Sequence, residues 1–134
     1  MNSLVHNLEE LLLPQFDDFS KRIVANSPRV NVRVHSHAFE SRGGSHLIAI
    51  ECLIPEVAAY QSDNVGLSVE IYDLRSSPKL NADVCWGHPS GYIEDSFGSE
   101  EGLITETTLV SLKSALPRLL DSLQHAINRS KPNT

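Results

Sequence analysis

The chain has 134 residues, 40% of them apolar and 21% charged, and a net charge of −6 at neutral pH. These totals fit one globular domain over residues 1–134, large enough to fold without a metal or disulfide staple, and they exclude a disordered chain. The acidic balance also argues against nucleic acid as a partner, since nonspecific binding rests on lysine and arginine meeting phosphate.

Residues 3–26 repeat with helical period, Leu4, Leu8, Leu11, Leu12, Phe19 and Ile23 falling near one stripe. Ser3 is a plausible N-cap, and "NSP" at 26–28 a stop. Pro14 is expected to kink this helix or to start a second one. The leading "MNSLVHNLEELLLPQF" lacks the basic start of a signal peptide, and no apolar run approaches the ~20 residues of a membrane span. The expected location is therefore cytoplasmic, with no membrane partner.

From residue 29 the period changes to two. In "RVNVRVHSHAF", Val30, Val32, Val34 and Ala38 point one way, while Arg29, Asn31, Arg33, His35 and His37 point the other. "SRGGS" supplies hairpin glycines, and "HLIAIECLI" returns with Ile48, Ile50, Cys52 and Ile54 inward. After a longer connection, "EVAAYQSDN", comes a third strand with Val65, Leu67, Val69 and Ile71 inward. "SSPK" turns the chain into a fourth, with Leu80, Ala82, Val84 and a buried Trp86 inward and Cys85 on the polar face. "HPSG" reads as a tight turn and "YIEDSF" as a short fifth strand. Residues 105–129 are helical again, with Thr105 as N-cap and Pro117 breaking the middle.

Helix, strands, helix with hairpin-like links predicts an α+β fold: an antiparallel meander of four to five strands, with the N- and C-terminal helices packed on one face. The other face is left to water, to a protein partner or to a second copy in a homodimer.

Chemistry-bearing motifs are sparse. Cys85 and His88 form a Cys-x-x-His pair, but a nucleophilic thiol needs an electropositive setting, and Asp83, Glu94 and Asp95 are its acidic neighbours in sequence. The stretch reads as strand end, turn and short strand, and Cys85 as no nucleophile. His35 and His37 share a strand face with Arg33, and Glu51 and Glu70 share that face from adjoining strands. Metal ligation there is opposed by the arginines and by the lack of a familiar zinc spacing, so cross-strand ion pairs account for these residues and no metal or cofactor is expected.

The charge map is lopsided. Between Lys79 and Lys113 there is no Lys or Arg, while Asp83, Glu94, Asp95, Glu100, Glu101 and Glu106 fall in that stretch. Residues 21–42 carry Lys21, Arg22, Arg29, Arg33 and Arg42 against Glu40 alone. Three readings are open: a solvated face, which is the commonest origin of such a run, two regions that face each other, or an acidic stretch that steers a basic partner. The reading that follows is a non-enzymatic protein-interaction module, in type like toxin-neutralising immunity proteins or secretion chaperones. Glu94, Asp95, Glu100 and Glu101 would meet a partner protein with a basic surface. The alternative is an enzyme or a small-ligand or metal-binding protein using His35, His37, Glu51, Glu70 and Cys85.

Overall fold

The computed structural model describes residues 2–40, 43–54, 64–86, 93–98, 104 and 106–130. Helix α1 (Asn2–Asn26) leads into strands β1 (Asn31–Phe39), β2 (Ser45–Leu53), β3 (Asn64–Tyr72), β4 (Lys79–Trp86) and β5 (Ile93–Gly98), and helix α2 (Glu106–Ser130) closes the order. The strands form one antiparallel sheet in the order β1-β2-β3-β4-β5, a meander. Both helices lie on one face, α1 over β1 and β2, and α2 over β3, β4 and β5. This is the predicted α+β arrangement.

The α1 stripe is Leu8, Leu12, Phe16, Phe19 and Ile23, all buried. Phe16 is fully buried although the apolar pattern leaves it out; Leu4 and Leu11, which the pattern includes, are only partly buried. Pro14 and Pro117 sit inside continuous 25-residue helices. Neither proline divides its helix, because each is exposed and the buried stripe on the opposite side offsets the lost backbone bond. Ser3 lies within the first turn of α1 instead of capping it. The helix ends as expected at Asn26, where the Ser27 amide donates to the Ile23 carbonyl at 2.7 Å and the Val30 amide to Ser27 at 3.0 Å.

The first hairpin is built on Gly43 and Gly44, with φ of +70° and +87°. A Cβ at Gly43 would also stand 2.8 Å from the Asp73 carboxylate, because the next turn packs against this one. There Leu74 and Arg75 donate their amides to the Gly44 and Gly43 carbonyls. Strand parity is as predicted for β2, β3 and β4: Ile48, Ile50, Cys52, Val65, Leu67, Val69, Ile71, Leu80, Ala82 and Val84 are buried beneath the helices. Four inward residues are less buried than expected, Val32 and Val34 on the edge strand being only partly covered. Ala38 is exposed, lying near the end of the edge strand. Trp86 is half-buried, lying at the end of β4, and its indole N–H donates to Glu94 at 2.9 Å. The longer connection after β2, the turn at His88, the proposed cap at Thr105, and Arg42, Glu100 and Glu101 lie outside the described residues.

Candidate functional site

Five strands with helices on one side leave a second sheet face uncovered by either helix. Its side chains can be read from the register. Across β1, β2, β3 and β4 run Arg33, Glu51, Gly66 and Cys85 in one row, and His35, Ala49, Ser68 and Asp83 in the next. His37, Leu47, Glu70 and Asn81 follow. The centre is floored by small residues. At Gly66 a Cβ would stand 2.7 Å from the Ile50 carbonyl oxygen and 3.3 Å from the Glu51 Cα, so glycine permits the close approach of β2 and β3.

The walls are polar and bonded to one another. Arg33 donates to one oxygen of Glu51 at 2.9 Å, and His35 Nε2 meets the other oxygen at 2.9 Å. His35 Nδ1 lies 3.1 Å from His37 Nδ1, and the two rings are nearly parallel with centroids 5.0 Å apart. Burial raises the Glu51 carboxyl, but the bonds from His35 and Arg33 outweigh it and hold it below its ordinary range. His35, His37 and Glu51 are thus brought together. Glu70 shares their face but stands apart, with Leu47 between it and His37 in register.

Cys85 stands across Gly66 from Glu51. Burial pushes its thiol up, and the Asp83 and Glu51 carboxylates push it further. Cys52, beneath the helices, is pushed up to about 12, again chiefly by burial. Neither thiol is set up as a thiolate nucleophile. For Cys85 the acidic influence comes from Asp83, one of the three acidic residues near it in sequence, and from Glu51, which only the sheet register reveals, and not from Glu94 or Asp95.

Glu94 and Asp95 do not lie on this face. β4 and β5 shift register between Val84 and Cys85, so that Asp95 pairs with Val84 and Ile93 with Cys85. This irregularity turns two successive carboxylates toward α2. Asp95 accepts from Arg118 Nε at 3.1 Å and from Ser122 Oγ at 2.8 Å. Glu94 accepts from Trp86 and is paired with Arg129. The compensating arginines therefore come from α2, beyond the basic stretch at 21–42.

A second polar cluster, unread in the sequence, lies between α1 and the sheet. Ser36 Oγ donates to Glu9 at 2.7 Å and stands 2.6 Å from His46 Nε2. Parity alone puts Ser36 and His46 on the helix side, but a polar residue on an apolar face reads as a gap in the pattern. Three such residue types suggest a nucleophile, base and orienting acid. The geometry denies it: Ser36 gives its proton to Glu9, and Glu9 approaches the same ring nitrogen of His46, at 3.9 Å, that faces Ser36. A relay needs the acid on the other nitrogen.

Among the described residues no group of three or more His, Cys, Asp or Glu side chains is arranged to hold a metal ion. No helix among them is long and apolar enough to cross a membrane. Comparison with protein-family models, with curated proteins and with solved structures finds no match to this chain.

Proposed function

We propose that the protein is a non-enzymatic protein-interaction module, immunity- or chaperone-like in type, that docks a partner on the helix-free face of its sheet. One observation carries this reading. The polar side chains of that face are bonded to one another, as in the Arg33–Glu51–His35–His37 chain, in which Glu51 and His35 are half-buried and Arg33 and His37 exposed, while its thiol is pushed away from the reactive form. Such a surface is ordered for recognition and poorly set up for nucleophilic chemistry.

The partner is a protein with a basic surface. The net charge of −6 favours one, and the central strands present Glu70 and Asp83 on the docking face. Glu100 and Glu101 stay candidates for partner contact on their sequence alone, whereas Glu94 and Asp95 are engaged by α2 and contribute less. Two free cysteines, Cys52 beneath the helices and Cys85 on the opposite face, fit a reducing compartment, the cytoplasm.

The test is affinity capture from the native host with three baits. A protein retained by the wild type should be lost with Ser68→Trp, which fills the centre of the docking face. It should be retained with Asp121→Lys, which changes an exposed position on α2. Loss with Asp121→Lys and retention with Ser68→Trp would move the interface to the helix face and contradict the reading.

A further inference from the structure

His35 and His37 are two residues apart on an edge strand, so their side chains leave the same face of the sheet. Their Nδ1 atoms face each other at 3.1 Å. Two nitrogens at that separation, each about 2.0–2.1 Å from a metal ion, subtend about 100° at the metal, between the square-planar and tetrahedral values. The far nitrogen of His35 is held by a carboxylate, Glu51, at 2.9 Å. A carboxylate on the outer ring nitrogen is the usual companion of a metal-bound imidazole, because it fixes the tautomer and raises the basicity of the ligating nitrogen. With His35 Nε2–H donating to Glu51, the neutral ring carries its lone pair on Nδ1, and His37 supplies the proton between the rings.

We propose that His35 and His37 form a two-nitrogen site for a divalent late transition-metal ion, with Glu51 as the positioning residue that orients His35. His37 ligates by moving its proton to Nε2, so both rings stay neutral and no proton is lost. The arginine that weighs against a cation in the sequence is already bonded to Glu51 through its guanidinium. Since no larger group of ligands occurs among the described residues, water fills the remaining positions. Imidazole ligands and an open coordination sphere select copper and nickel over magnesium and calcium. The inference rests on the two rings and Glu51, and stands or falls separately from the docking of a protein.

The test uses the full chain, with nickel chloride titrated calorimetrically and magnesium chloride as control. One equivalent of nickel should bind and magnesium should not. His37 is exposed, so His37→Gln leaves the fold intact, and it should weaken nickel binding at least tenfold. Glu51→Ala should weaken it about 10–100-fold, and Glu51→Gln, which keeps an acceptor oxygen, should recover part of that loss. His125→Gln, an exposed histidine on α2, should change nothing. In a Cys85→Ser background, where that thiol cannot reduce the ion, the electron paramagnetic resonance of bound copper(II) should show coupling to two imidazole nitrogens. Wild-type nickel affinity in His37→Gln, or copper coupled to fewer than two such nitrogens, would overturn the assignment.

Discussion

Asp95 gathers three donors: Ser122 Oγ, Arg118 Nε and the Ser96 backbone amide, all within 3.1 Å. Burial raises its carboxyl, but these bonds prevail and hold it below the ordinary carboxylate range. A carboxyl depressed on folding stabilises above its unfolded pKa, ~3.9, and that contribution is lost as pH falls through the lower folded value. Asp95→Asn should therefore cost about 1 kcal/mol at pH 7 in urea unfolding, with the difference from wild type shrinking at pH 3. His46 titrates in the opposite chemical sense with the same outcome. Burial lowers its pKa, Glu9 draws it back up, and His37 lowers it further. Because the folded state disfavours the imidazolium, its contribution is intact above the unfolded value of ~6.5 and erodes as pH drops from there. The loss of unfolding midpoint between pH 7 and pH 5 should be smaller in His46→Gln than in the wild type. Neither environment could be read from the sequence. Asp95 owes its partners to a bulge, and His46 owes Glu9 to the placement of a helix over a strand.

At the scale of elements, alternation carried most of the fold. The run of Val65, Leu67, Val69 and Ile71 against Ser68 and Glu70 is a strand buried on one face, and it lies where its period requires. Alternation failed at β5, since an irregular register breaks parity and puts Glu94 and Asp95 on one side. The prolines misled for a different reason. Local chemistry disfavours proline within a helix, yet tertiary burial of Leu12, Phe16, Leu116 and Leu119 holds the helices continuous around them. That places two removable defects at exposed positions. Alanine costs about 3 kcal/mol less than proline in a helix interior, so Pro14→Ala and Pro117→Ala should each raise the unfolding midpoint, by about 1–3 kcal/mol of stability. Thermal and urea unfolding of the two variants measures it.

Over the whole molecule, the two helices occupy one side of the sheet and the histidine–carboxylate chain occupies the other. The His35, His37 and Glu51 grouping was legible from parity, while its bonding pattern and the separation of Glu70 came only with the register. The central claim is that the helix-free face meets a partner protein. It is tested most directly by placing a photo-crosslinking amino acid at Ser68 on that face, or at Asp121 on α2, and irradiating in the native host. The account predicts that Ser68 captures one protein with a basic surface, that capture falls as salt is raised over a Debye length of ~8 Å at physiological ionic strength, and that Asp121 captures none of it. Equal capture from both positions, or capture of a second copy of this chain from Ser68, would contradict the account and make the face a self-association surface or no interface at all.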